Sequence, residues 1–231
     1  MGRAWTGRLT PQRPRDVRAV VTSVEWVFEP SWSGDRLLVR YDDGVRSVTG
    51  DGGEEVPAAV STEVADVLRH AVLAGHAVLD GVWTAQPFTG DGSAARAWAA
   101  TLDEAGIADE LPDPLETESR RAFVAVDLLE LDGEELYDVP LQERRRILES
   151  VVDEGIRVRL SPMVKQPVAA WLIGWRANGF SHYLAKHQNS RYRPGEVSDE
   201  WLRIPVQHEA APGFATRWFG VRGQRERRIE D

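Results

Sequence analysis

The period of apolar and polar positions changes several times along the chain, and each change marks an element. Val20–Val24 is a short β-type run, and Trp26–Phe28 continues as an extended segment that Pro30 keeps out of helix. A tight polar turn follows at Ser31–Gly34. Arg36–Tyr41 and Val45–Val48 are strand-like runs on either side of Asp43-Gly44, the dipeptide of a two-residue type I′ hairpin. Gly50–Gly53 breaks the pattern. From Ser61, read as an N-cap, the apolar positions Val64, Val67, Leu68, Val72 and Leu73 take helical spacing until Gly75. Ala77–Leu79 and Val82–Thr84 flank Asp80-Gly81 as two short strands or one bent strand.

In the second half, Ala94–Leu102 predicts a short Ala-rich helix and Ala108–Glu118 an acidic, Pro-containing loop. Ala122–Leu131 predicts a hydrophobic strand ending at Asp132-Gly133. Leu141, Ile147, Leu148, Val151 and Val152 give a helix after Pro140 that Gly155 stops. Ile156–Leu160 reads as a strand, Val168–Ala177 as a helix closed by Gly179, and Tyr183–Lys186 and Trp201–Val206 as the last strands. Short strands joined by hairpin turns and interleaved with amphipathic helices argue for an α+β fold with mainly antiparallel sheets. Residues 1–19 read as a basic lead-in, 20–207 as the domain, and 208–231 as a basic tail.

Composition narrows the function classes. The 231 residues contain no cysteine, which excludes disulfides and thiolate metal sites, and five scattered histidines form no ligand cluster. No apolar run approaches the ~20 residues of a membrane span, and no h-region follows the basic N-terminus, so a cytoplasmic protein without membrane contact is expected. The net charge of −9 is unevenly spread. Residues 1–15 carry four arginines and no acid, and 217–231 carry five arginines against three acids, which leaves −15 on the rest. An acidic body repels a phosphate backbone, so a weak DNA contact is expected only at the Arg-rich termini, whose bland reading is solvated, frayed ends. Only two of the 28 basic residues are lysines, Lys165 and Lys186. The nine tryptophans read as core packing rather than as a base-stacking surface.

Three long segments carry a resemblance. EPSWSGDRLL, AFVAVDLLELDGEELYDVPLQERRRILE and AKHQNSRYRPGEVSDEWLRI stand in order over roughly residues 25–206. Together they resemble the adenylation domain of ATP-dependent DNA ligases, within the covalent nucleotidyltransferases. That family implies a DNA ligase/mRNA capping enzyme nucleotidyltransferase-like fold (ATP-grasp-like), with two mainly antiparallel sheets flanked by helices. It also implies a lysine nucleophile that takes AMP covalently from ATP with Mg²⁺. After Trp201 the 30 remaining residues are too few for the oligonucleotide-binding barrel that normally follows, so none is expected.

The implied chemistry is missing at its main positions. Ser31 stands where the family has the nucleophilic lysine, and a hydroxyl needs a base that the turn does not offer. Ser33 replaces the following aspartate, Gly50 the turn arginine, and Val82 the carboxylate for the ribose hydroxyls. Val126 replaces the aromatic residue that packs on adenine. Phe123 is no substitute, because an offset of three in a strand points to the other face. Ser181 replaces the metal-binding carboxylate and Pro205 the last lysine of the triphosphate clamp. Glu29, Trp32, Gly34, Arg36, Asp127, Lys186 and Arg203 are left as a vestigial nucleotide pocket; otherwise Arg36 and Lys186 sit in surface ion pairs. Lys165 reads as a surface residue.

Nucleotidyl transfer depends on metal and cationic clamps around developing charge, and here the clamps fail together. The reading is therefore a ligase-like domain with no catalytic residue and no metal site. It would act as a binding or accessory protein in DNA repair, on a protein partner that the sequence does not identify. ATP and Mg²⁺ are cofactors only under the alternative, a divergent nucleotidyltransferase with a non-standard nucleophile: Ser31, Lys186 or a substrate amine.

Overall fold

The computed structural model describes residues 9–85 and 121–206, and every structural statement below concerns these. The elements are β1 (Arg13–Asp16), β2 (Trp26–Pro30), β3 (Asp35–Asp42), β4 (Val45–Thr49), α1 (Ala58–Leu68), β5 (His76–Thr84), β6 (Ala122–Leu131) and β7 (Glu134–Glu135). They continue with α2 (Leu141–Val151), β8 (Val158–Leu160), α3 (Ala169–Ala177), β9 (His182–His187) and β10 (Val197–Pro205). A four-stranded sheet runs β1-β10-β9-β2, and a six-stranded sheet runs β4-β3-β5-β6-β7, with β8 also on β6. Only β1–β10 and β6–β8 are parallel pairs. The expected α+β architecture of two mainly antiparallel sheets flanked by helices is the one observed.

Alternation along each strand sorts the side chains into layers. On the outer face of the six-stranded sheet, Leu37, Val39, Leu79, Trp83, Phe123, Ala125 and Leu128 pack under Val64 and Leu68 of α1 and Leu148 of α2. The outer face of the other sheet packs Phe28, Tyr183, Ala185 and Ile204 against Val168 and Trp175, from the start and body of α3. Between the sheets, Val27 and Trp201 meet Leu38, Val78, Leu129 and Tyr192. The same alternation turns Arg36, Asp80 and Val82 inward from one sheet and Glu29, Leu184, Lys186 and Arg203 inward from the other. The site therefore sits between the sheets.

The chain crosses between sheets at Ser31–Gly34, because β2 and β3 belong to different sheets. Gly34 takes φ +140°, and a Cβ there would fall on the Trp83 carbonyl oxygen. Thr84 Oγ1 donates to the Ser33 carbonyl and ties the turn to the end of β5. The Asp43-Gly44 hairpin forms as expected, with φ of 48° and 138°.

Several expectations need correction. Val20–Val24 is not a strand; the strand of this region is β1, within the expected lead-in, paired with β10. Ser61 does not cap α1, which starts at Ala58 after Pro57 and ends at Leu68, well before Gly75. Pro57 fixes the entry into the first turn, where its missing N–H costs nothing. Of the two readings for Asp80-Gly81, the single strand is the one that forms, with register shifts against β6 on either side of Leu79–Asp80. The last strand starts at Val197 rather than Trp201. The predicted helix at 94–102, the loop at 108–118 and the tail at 208–231 lie outside the described residues. No described helix is long and apolar enough to cross a membrane.

Gly81 explains the irregular register, since a Cβ there would meet the Phe123 ring and sit 2.7 Å from the Val124 carbonyl oxygen. Gly81→Ala is expected to lower stability by about 2–3 kcal/mol through overpacking. Gly155→Ala has nothing within 4 Å of its new methyl and is expected to stay within about 0.5 kcal/mol of wild type. Urea unfolding of both variants checks the contrast.

Candidate functional site

An open cleft of about 320 Å³ lies where the sheets face each other, beside the Ser31–Gly34 crossover. Its apolar lining is Pro30, Trp32, Val82, Val126 and Leu184, with Pro14 at the β1 side. Its polar lining is Gln12, Arg13, Asp16, Glu29, Ser31, Arg36, Asp51 and Arg203. Of the residues expected to form the pocket, Glu29, Trp32, Arg36 and Arg203 line this cleft; Ser31, Val82 and Val126, from the replaced positions, line it too. Gly34 and Gly50 line a neighbouring hollow of about 460 Å³. Ser33, Ser181, Asp127, Lys186 and Pro205 do not line the cleft.

Lys186 and Glu29 form one unit beneath the cleft. Lys186 Nζ lies 3.1 Å from Glu29 Oε1, and neither side chain is more than 1% exposed. The ammonium sits 4.2 Å from the centre of the Trp201 ring, a cation–π contact made by residues paired across β9 and β10. Ser161 Oγ donates to Glu29 Oε2 at 3.1 Å, and Trp32 Nε1 donates to Ser161 Oγ at 3.0 Å. Lys186 is thus an internal cation, and the surface ion pair expected for it is not what forms.

Arg36 is likewise no surface residue. Its Nε and Nη2 donate to the two carboxylate oxygens of Asp80 at 2.5 and 2.6 Å, and Asp80 is fully buried. Burial opposes the guanidinium charge, but the Asp80 charge and its hydrogen bonds outweigh it and raise the Arg36 pKa. Tyr192 donates its hydroxyl to Asp80 Oδ2 at 2.7 Å. Burial and then the Asp80 charge push that phenol well above its ordinary pKa, so it stays a donor. Asp127 pairs not with a ligand but with α2: Arg144 Nε and Nη2 reach its two oxygens at 2.8 Å each, with both side chains buried.

Ser31 offers no activated nucleophile. Its hydroxyl accepts from Arg203 Nε at 3.3 Å. The remaining nitrogens of Arg203 engage Asp16 at 3.1 Å and His182 Nδ1 at 3.1 Å. His182 also meets Ser181 Oγ at 2.9 Å, and partial burial together with Arg203 lowers its pKa. Ser181 therefore belongs to the rim of this cluster, while Pro205 ends β10 opposite His182. Among the described residues no three His, Asp or Glu side chains converge to hold a metal ion. The cleft has the size for a mononucleotide-sized ligand, but among the described residues no set of side chains converges in it to hold the metal of a metal–triphosphate group.

A model of the ATP-dependent DNA ligase domain matches residues 12–204. The chain belongs to the ATP-dependent DNA ligase domain family. This ligase domain is 28% identical over 186 residues to the multifunctional non-homologous end joining DNA repair protein LigD of Mycobacterium tuberculosis, covering 78% of this chain and 21% of that protein. It is 29% identical over 184 residues to the DNA ligase of Thermococcus fumicolans, covering 78% and 32% of the two chains. The chain thus spans about a fifth of the mycobacterial relative and a third of the archaeal one. The crystal structure of the ligase domain of M. tuberculosis LigD superposes with a TM-score of 0.58 at 24% identity, over 84% of this chain and 59% of that one. That likeness establishes the fold.

Sequence reasoning missed Gln12, Ser161, Asp80 and Tyr192 as parts of the ligase domain's site. Asp80 carried a signal, a lone acid inside the apolar run of β5. Gln12 and Ser161 carried none, because tertiary packing alone brings Gln12 to the cleft and Ser161 behind Glu29 and Trp32.

Removing one partner of a buried ion pair strands the other charge, at a cost of about 3–5 kcal/mol. Lys186→Met and Glu29→Gln are each expected to destabilise, Lys186→Met by that amount. The double variant is expected to recover much of the loss. A double-mutant cycle by urea unfolding measures the coupling, and additive losses would show that the pair is not a unit.

Proposed function

We propose that this ligase-like nucleotidyltransferase domain does not take AMP covalently and works as a non-catalytic binding or accessory protein. One observation carries the reading. The chain has two lysines; Lys165 is exposed away from the cleft, Lys186 is sealed against Glu29 and Trp201, and no lysine lines the cleft. An adenylated intermediate of the family's kind needs a cleft amine to attack the α-phosphate. The failed fit for a metal–triphosphate group supports the same conclusion. The alternative, covalent chemistry at Ser31 or Lys186, would need a base beside the Ser31 hydroxyl, which instead accepts from Arg203, or release of Lys186 from its ion pair.

DNA repair is the setting proposed for the accessory role, because the mycobacterial relatives are named for non-homologous end joining. The contact we favour is with a protein rather than with the DNA backbone. Among the described residues near the N-terminus, Arg13 lies 3.9 Å from Asp51 and Arg15 2.5 Å from Asp199, so each has an acidic neighbour that competes with a phosphate.

Incubation with ATP and Mg²⁺ followed by intact-protein mass measurement is expected to show no AMP adduct. Ser31→Lys alone is expected to show none either, because Gly50, Val82 and Pro205 still lack the groups that would hold the nucleotide. A wild-type mass gain of one AMP would defeat the proposal, and peptide mapping would then name the nucleophile.

A further inference from the structure

Gln12 has a polar group that nothing in the fold uses. Its side chain is fully buried at the start of β1 and lines the cleft. Its backbone N–H donates to Tyr192 Oη at 3.1 Å, and its Oε1 accepts from the Arg193 backbone N–H. These contacts fix the carboxamide, yet Nε2 is buried without a hydrogen-bond partner. A buried amide donor left unmade costs more than the average hydrogen bond contributes. Such a group in a cleft wall is satisfied when a ligand brings an acceptor.

The slot beside it has a defined shape and chemistry. Val82 and Val126 project from one sheet, Leu184 and Pro30 from the other, so the space between them suits a flat ring. Glu29, a carboxylate of the cleft wall, is held from two sides: Oε2 accepts from Ser161, and Oε1 lies 3.1 Å from the Lys186 ammonium as an ion pair without a hydrogen bond. The cleft wall therefore offers an unused donor at Gln12, and the charge of the Glu29 carboxylate is balanced by the Lys186 ammonium.

We propose that Gln12 is a ligand-reading residue, whose Nε2 donates to a carbonyl acceptor on a flat heterocycle of the nucleobase class. The cleft then prefers an oxo-substituted base to an amino-substituted one. This inference rests on the reading of the cleft as a non-covalent binding site. It adds to that reading the chemical edge that the cleft selects.

Inosine monophosphate and adenosine monophosphate form the test pair, since they differ at the base edge by a carbonyl in place of an amino group. Titration calorimetry on the full chain is expected to give binding of inosine monophosphate about tenfold tighter, the order of effect of one hydrogen bond to a buried donor. Gln12→Met removes the donor, and Gln12→Glu removes it while keeping an oxygen for the Arg193 N–H. Both are expected to erase the preference, with near-UV circular dichroism and the unliganded melting curve reporting that each variant is folded. Equal or tighter binding of adenosine monophosphate, binding of neither nucleotide, or a preference that survives in a folded variant would each overturn the assignment. The wild-type ratio needs no variant to fold. A covalent AMP adduct in the mass experiment would defeat the non-catalytic reading separately, leaving the ratio to decide the role of Gln12.

Discussion

The Glu29–Lys186 ion pair is the constraint on which the centre of this domain depends. A lysine with no exposure survives as a cation only if its desolvation is offset locally. Glu29 supplies the opposite charge and Trp201 the face of its ring. Ser161, held in turn by Trp32, occupies the second carboxylate oxygen. These residues come from β2, β9, β10, the crossover turn and the end of β8. The same network continues outward: Trp201 Nε1 donates to Ser190 Oγ, and the Ser190 carbonyl accepts from Arg144, which clamps Asp127 of β6. A polar chain thus runs between the two sheets, beside the apolar seam where Val27, Leu38, Val78 and Leu129 are in contact. The cleft is the space left at one end of that seam.

How much of this was legible in the sequence varies with the range of the interaction involved. Asp43-Gly44 fixed its hairpin locally, and the strand at Ala122–Leu131 and the helix after Pro140 followed from period alone. The failures were also local in origin. Val20–Val24 looked like a strand by composition, but Arg13–Asp16 had the open edge of β10 beside it. Asp80-Gly81 left two short strands or one bent strand open, because the dipeptide favours turns; in the fold it stays in one strand, where Asp80 takes Arg36 and Tyr192 and Gly81 lets the Phe123 ring approach. Ser61 looked like a cap, but Pro57 set the helix start earlier.

The site was legible as positions and illegible as chemistry. The resemblance located the cleft, and Glu29, Ser31, Trp32, Arg36, Val82, Val126 and Arg203 do line it. It did not reveal that Arg36, Lys186 and Asp127 find their partners within the protein. Burial and partner identity are set by contacts between residues far apart in the chain, such as Arg36 with Asp80 or Lys186 with Glu29. Gln12 shows the same limit from the other side, because an ordinary glutamine in an Arg/Pro segment gives no hint that its amide will be buried unpaired.

Keeping a family residue and keeping its chemical role are therefore separate matters in this domain. Ser31, Val82 and Val126 change what the cleft can do while leaving the layers between which it lies intact, because none of them bridges the sheets. Glu29 reaches the other sheet through Ser161, Lys186 braces Glu29 and Trp201 within its own sheet, and Asp127 anchors Arg144 of α2, so losing any one would strand a buried charge. A protein that no longer needed nucleotidyl transfer would be free to change the first group and held to the second by stability alone. On this argument the surviving charged residues report the demands of folding. The function is to be sought in the groups that folding leaves unused, among them the Gln12 amide.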